Sequence, residues 1–346
     1  MVVYPIKMTP CTKAAPWGGS KLANEFYKKT EFEFTGESWE ASAHKNGKSV
    51  AANGAYAGKD LAALTEEFGK EFLGTRVEGS EFPVLFKLID ARDKLSVQVH
   101  PNDEYARKAE NDNGKTEMWT VIGCEEGAGL YLGFDKPITK EEYAERIKNN
   151  TLEEVLKFVP AELGRSYFLP AGLVHAIGAG LVIAEIQQSS DSTYRVYDWG
   201  RMGLDGKPRQ LHIEKAIDVS NTSWAGAASE SLSVSEDGCT REWLNACGYF
   251  AAMKLNLSGT VVENTLGGSF HIVFVSEGDG SVTCGGVSVS VGKGETVIIP
   301  ACAGEYTLSG NMTAFRYWSA DVESEYIAPL TEKGFCEETV NALCGR

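Results

Sequence analysis

Short runs of β-branched and aromatic residues, alternating with polar ones and broken every few positions by Gly, Asn or Pro, restrict this chain to a β-rich fold. The clearest are Val273-Phe-Val-Ser-Glu-Gly-Asp-Gly-Ser-Val and Val287-Ser-Val-Ser-Val-Gly-Lys-Gly-Glu-Thr-Val-Ile-Ile-Pro300. Alternation gives each strand one apolar and one polar face. Many short strands at regular spacing predict a sandwich or jelly roll. After about residue 230 almost no helical periodicity is visible.

Helical signals are few. Residues 59–74 place Leu61, Leu64, Phe68 and Phe72 on one stripe, with Gly74 as a stop. A short helix is expected over about 102–111, after Pro101. Residues 137–160 hold two capping boxes, Thr139-Lys-Glu-Glu142 and Thr151-Leu-Glu-Glu154, and predict a two-helix insertion ended by Pro160. A last helix is expected over about 211–220.

The length of 346 residues suits two domains. A weak internal repeat agrees with that. Trp119-Thr-Val-Ile-Gly-Cys-Glu-Glu-Gly is similar to Ile272-Val-Phe-Val-Ser-Glu-Gly, and Ser166-Tyr-Phe-Leu-Pro170-Ala-Gly-Leu-Val-His175 to Val297-Ile-Ile-Pro300-Ala-Cys-Ala-Gly-Glu305. The period is too long for a solenoid and fits two copies of one β-domain. The expected division is 1–230, bearing a metal and the helical insertions, and 231–346, a copy that has lost its site.

The formal charge of −15 argues against nucleic acid or an anionic membrane as partner. No apolar run approaches a membrane span, and the N-terminus has no secretory pattern. Eight cysteines stand singly without a Cys-x-x-Cys pair, which fits reduced thiols in a cytoplasmic protein. The expected assembly is a monomer or weak homo-oligomer.

Of five histidines, two fall in a suggestive context. In Ser96-Val-Gln98-Val-His100, side chains two apart share a face, so Ser96, Gln98 and His100 point one way and Leu95, Val97 and Val99 the other. Glu117 shares a face of the next strand with Trp119 and Val121, and His175 follows the Pro170-Ala-Gly172 turn. Two imidazoles, a carboxylate and an amide suit zinc with an open position, although Fe(II), Mn or Co fit the same donors. His44, His212 and His271 lack such company and read as ordinary structural residues. Glu185, in a barrel near a metal, is a candidate general base if burial raises its pKa, or else a structurally paired carboxylate. Arg195 could hold a phosphate or enediolate oxygen. Lys115 and Lys87 would add local positive charge. Neither a phosphate-binding glycine loop nor a serine nucleophile elbow is present.

Several motifs in order resemble the type I phosphomannose isomerases, above all the short bacterial form: Trp17-Gly-Gly19, Gly36-Glu-Ser-Trp39-Glu, Phe86-Lys-Leu-Ile-Asp, Ser-Val-Gln98-Val-His100-Pro-Asn-Asp, Gly-Lys-Thr-Glu117-Met-Trp, Leu-Pro-Ala-Gly-Leu-Val-His175-Ala-Ile and Tyr194-Arg195-Val-Tyr-Asp-Trp-Gly-Arg201. The resemblance runs from about residue 4 to about 220 and more loosely beyond. It implies a mainly β fold of two cupin-type jelly-roll barrels, the second degenerate. It also implies a zinc-dependent aldose–ketose isomerase acting on a small sugar phosphate, mannose 6-phosphate and fructose 6-phosphate. On that basis Gln98, His100, Glu117 and His175 would be zinc ligands. Arg195 and Lys115 would be catalytic, Glu185 the proton-transfer base, and Lys87, Ser96, Lys115 and Arg195 would bind the substrate. A non-catalytic sugar-phosphate binder and an iron-dependent redox cupin are the alternatives.

Overall fold

Alternation decides where each strand buries its two faces, and three antiparallel sheets result. The computed structural model describes residues 1–344. A five-stranded sheet runs in the order Tyr194–Tyr197, Val97–Val99, His175–Ile177, Gly129–Phe134, Leu156–Pro160. A six-stranded sheet runs Ser166–Leu169, Glu117–Cys124, Leu181–Gln188, Val84–Ala91, Cys11–Gly19, Thr35–Ala41. A nine-stranded sheet gathers the strands from Leu232 onward together with Ile6–Thr9 and Val50–Ala51. Among the described residues no helix is long and apolar enough to cross a membrane.

The six-stranded sheet is buried on both faces. One face (Phe86, Leu88, Met118, Val182, Ala184, Ile186) packs on Phe270, Ile272, Phe274 and Phe315 of the nine-stranded sheet. The opposite face carries Ile89, Trp119, Val121 and Ile183 against Leu130, Leu132 and Ile177 of the five-stranded sheet. Lys87, Glu117 and Glu185 occupy the same parity as this second set and so enter the space between the two sheets. The outer face of the five-stranded sheet, with Val97, Val99 and Val174, is covered by Tyr143 and Ile147 of the helix Lys140–Lys148 and by Ala216 of Ile213–Val219. The nine-stranded sheet turns its other face, with Val273, Val275 and Val297, into a core of its own.

The two repeat copies use matching pairings. Glu117–Cys124 pairs with Ser166–Leu169, and His271–Cys284 pairs with Thr296–Ile299. The architecture is the expected mainly β, cupin-type one.

Local expectations fare unevenly. Residues 59–74 form two helices, Leu61–Phe68 and Lys70–Leu73, separated at Gly69. Asp60 caps the first by accepting from the Ala63 N–H at 2.8 Å. The other two expected helices run Asp103–Ala109 and Ile213–Val219. The two-helix insertion over 137–160 is corrected to one helix. Thr139 caps Lys140–Lys148, but Thr151 makes no side-chain cap, and only a 3₁₀ turn, Leu152–Val155, follows. Leu156–Pro160 is then the edge strand of the five-stranded sheet, where a proline without an N–H breaks no central ladder. Helices Ala328–Glu332 and Glu337–Leu343 lie in the region expected to be almost free of them. Each is too short to display a repeating stripe, yet Leu330, Val340 and Leu343 are buried in the second core.

A buried ion pair joins the strand Thr35–Ala41 to the strand Thr296–Ile299 of the nine-stranded sheet. Lys28 Nζ lies 2.7 Å from Glu40 Oε1 with both side chains nearly sealed, and Glu40 also accepts from Ser38 Oγ at 2.7 Å and Thr296 Oγ1 at 2.8 Å. Glu40→Ala leaves the Lys28 ammonium buried and unpaired, and is expected to cost ~3–5 kcal/mol. Denaturant unfolding checks this, with the double variant Lys28→Met/Glu40→Leu expected to cost less.

Candidate metal centre

Cross-strand register brings four polar side chains to one point. Gln98 sits opposite His175 on one side and Arg195 on the other. In the facing sheet Gln187 pairs with Glu117, and Glu185 pairs with both Trp119 and Lys87. His100 lies just past its strand and is buried, as are Glu117 and His175. The ligand atoms of His100, Glu117 and His175 all lie within 4.8 Å of one another.

The turn before His175 serves both imidazoles. Gly172 adopts φ +91°, a left-handed value that favours glycine, and its N–H donates to the His100 carbonyl at 2.9 Å. The carbonyl of Leu173 accepts from His175 Nδ1 at 2.8 Å, and that of Ser192 accepts from His100 Nδ1 at 2.9 Å. A carbonyl only accepts, so each Nδ1 carries the proton. Burial lowers the pKa of both rings, well below the usual value for His100 and to about 3 for His175. Each ring is therefore neutral, with a bare Nε2.

These bare nitrogens face a carboxylate. His175 Nε2 is 3.3 Å from Glu117 Oε1, and His100 Nε2 is 3.5 Å from Glu117 Oε2. Both oxygens are buried without a hydrogen-bond donor. Lys115 Nζ lies 3.1 Å from Oε2 as a charge, while its hydrogen bond goes to His100 Nε2 at 3.1 Å. Lone pairs on two imidazoles and a carboxylate converge here, which is unfavourable unless a cation sits among them. This donor set fits a divalent metal. The Gln98 amide nitrogen is 3.4 Å from His175 Nε2; a half-turn of that amide would present its oxygen instead.

Beside this group lies Glu185. Its Oε2 accepts from Trp119 Nε1 at 2.7 Å, and Lys87 Nζ is 3.1 Å from Oε1. Burial and the neighbouring Glu117 raise the Glu185 pKa against the opposing pull of Lys87 and Lys115. Burial also disfavours the Lys87 ammonium, but Glu185, Glu37 and Glu117 outweigh it and raise its pKa. Arg195 reaches in from the five-stranded sheet, donating through Nε to Ser96 Oγ at 3.1 Å and through Nη1 to the Gln210 carbonyl at 2.9 Å.

Gln98, Lys87, Ser96, Lys115, Glu185 and Arg195 all line one cavity of about 630 Å³. His44 and His212, which read as ordinary structural residues in the sequence, line it too. Both stand on loops, where strand parity says nothing. Glu37 also lines it and lies 3.4 Å from Lys87. Its motif is visible in the sequence, but its proximity to Lys87 depends on pairing between distant strands. In the second copy, Glu305 stands at the position matching His175 and is exposed.

Jelly rolls of this kind with a buried His–Glu–His group define a cupin-type protein with a candidate metal site. Residues 6–145 match the family model of the phosphomannose isomerase type I catalytic domain, and residues 240–318 that of the mannose-6-phosphate isomerase cupin domain. The chain is 38% identical to mannose-6-phosphate isomerase ManA of Bacillus subtilis, over 90% of this chain and 97% of that one. It is 38% identical to the mannose-6-phosphate isomerase of Streptococcus mutans, over 86% and 92%. The crystal structure of the Bacillus subtilis mannose 6-phosphate isomerase superposes with a TM-score of 0.86 at 35% identity, covering 90% of this chain and 99% of that one. The chain belongs to the type I phosphomannose isomerase family and is an aldose–ketose isomerase.

Buried neutral histidines make stability pH-dependent. His100, His175 and His271, the last also lowered to about 3 by burial, stay unprotonated in the folded state below the ordinary value of 6.5. Unfolding frees them to take up protons, so each contributes stability that is present above 6.5 and lost as pH falls toward its folded value. Glu185, with a raised pKa, works in the opposite sense. Metal-free protein is expected to lose ~1.4 kcal/mol per pH unit per buried histidine between about pH 6.5 and 5. Denaturant titrations check this, with a His271→Gln variant expected to show a shallower slope.

Proposed function

We propose that this enzyme interconverts D-mannose 6-phosphate and D-fructose 6-phosphate through a cis-enediol, with one zinc ion held by Gln98, His100, Glu117 and His175. The observation carrying this reading is the Glu117 carboxylate, buried without a donor between two bare Nε2 atoms and next to a raised-pKa Glu185. Nitrogen and oxygen donors without a thiolate suit zinc in an open catalytic site. When bound, the ion would supply Lewis-acid polarisation of O1 and O2 of the open-chain sugar.

The chain's own groups would do the rest. Glu185 takes the proton from C2 of the aldose and returns it to C1, while the hydroxyl proton passes from O2 to O1. Lys87 and the Trp119 N–H fix this carboxylate in place. Arg195 faces the cavity from the opposite sheet, positioned by Ser96 and the Gln210 carbonyl, and stabilises the developing oxyanion. Lysine and serine side chains at the rim hold the phosphate, and Lys87, Ser96 and Lys115 line the sugar pocket.

Purified protein is expected to form fructose 6-phosphate from mannose 6-phosphate in a coupled assay, to lose activity with chelator and to regain it with zinc. No product from metal-replete protein would overturn the reading. Arg195→Ala is expected to lower turnover by ~10²–10³-fold with metal affinity retained. Equal loss of both would make Arg195 structural. The acid limb of kcat/KM is expected above the ordinary carboxylate range. Lys87→Met should move it further up, because Lys87 holds the Glu185 pKa down.

A further inference from the structure

We propose that Asp112 is a positioning residue for the metal centre, acting on His100 through the loop Ser190–Ser192. The inference rests on the metal reading above. Strand Leu181–Gln188 ends before this loop and Tyr194–Tyr197 begins after it, so no ladder fixes residues 190–193. Side-chain bonds fix them instead. Asp112 Oδ2 accepts from Ser192 Oγ at 3.0 Å and from the Asp191 N–H at 3.3 Å. Ser190 Oγ also approaches Asp112 at 3.3 Å, but its single proton is better placed toward the Asn113 carbonyl at 2.7 Å. Gln187 Nε2 holds the Ser190 carbonyl at 2.7 Å, and Asn46 Nδ2 holds the Asp191 carboxylate at 2.7 Å.

Ser192 is the joint. Its hydroxyl is held by Asp112, and its carbonyl accepts the Nδ1 proton of His100. The partner of a ligand's second nitrogen sets the ring's tautomer and direction. Asp112 thus stands two bonds of a hydrogen-bonded chain behind the imidazole. It also belongs to the segment 101–116 that separates His100 from Glu117, so one excursion of the chain carries Lys115 and folds back to secure the loop.

The test uses the full chain stripped of metal and titrated with Co²⁺, read by visible absorption and by chelator competition. Asp112→Ala is expected to weaken Co²⁺ affinity by ~10-fold and to alter the band shape. Asp112→Asn, which keeps an acceptor oxygen toward Ser192, should restore most of both. Ser192→Ala, which also keeps the test alive if Asp112→Ala fails to fold, should match Asp112→Ala, and the double variant should be no worse than either single. Wild-type affinity and spectrum in both Asp112→Ala and Ser192→Ala would overturn the inference, as would additive effects of the two. If the parent protein binds no Co²⁺, or His100→Ala binds it equally well, the metal reading itself falls.

Discussion

A carboxylate buried between two neutral imidazoles sets the terms for this structure. Glu117 has no hydrogen-bond donor on either oxygen; two imidazole nitrogens with lone pairs face it, and the Lys115 ammonium, 3.1 Å from Oε2, offsets its charge in part. Removing such a charge from water costs several kcal/mol unless it is compensated. The surroundings keep this unfavourable arrangement in place. Two backbone carbonyls fix the imidazole tautomers, a glycine turn links the two histidines, and desolvation keeps the rings uncharged. A divalent cation among these donors would resolve the conflict that the fold imposes. The same desolvation raises the pKa of Glu185 one strand away, so a donor set suited to a metal and a carboxylate of raised pKa arise from one dry space between two sheets.

The second β-unit has a clear mechanical part in this. The sheet that carries Lys87, Glu117 and Glu185 on its front face has a wholly apolar patch behind them, and the nine-stranded sheet covers it with Phe270, Ile272, Phe274 and Phe315. A slip of one residue in these three strands would bring Phe86, Met118 or Ile186 to the site and a charge to the core. Further support reaches the strand Glu117–Cys124 from the same side. Tyr249 donates to Asp103 at 2.9 Å, Asp103 accepts from the Gly114 N–H at 2.8 Å and from Gln188, and Gln188 accepts from the Thr116 N–H at 2.9 Å. Lys115 and Glu117 flank the residue so held.

The sequence was most readable where regular strands determine side-chain direction. Parity alone places Gln98 beside His100 and opposite Val97 and Val99, and the structure orients them that way because the valines are needed under two helices. The repeat is visible since both copies use the same pairing. Parity is silent on loops, which hides His44 and His212. It is equally silent on distant contacts, which hides the bonds from Trp119 to Glu185 and from Asp112 to Ser192. The Thr151 capping pattern misleads because Leu-Lys-Phe-Val alternates as well, and a free sheet edge was available to take it. The last helices escape notice because burial against the second core, rather than periodicity, stabilises them.

X-ray absorption at the zinc edge, on protein loaded with a single equivalent of zinc, tests the central claim most directly. The account predicts a first shell of nitrogen and oxygen only, with outer-shell scattering from two imidazoles. Sulfur in that shell, fewer than two imidazoles, or no retained zinc would contradict it.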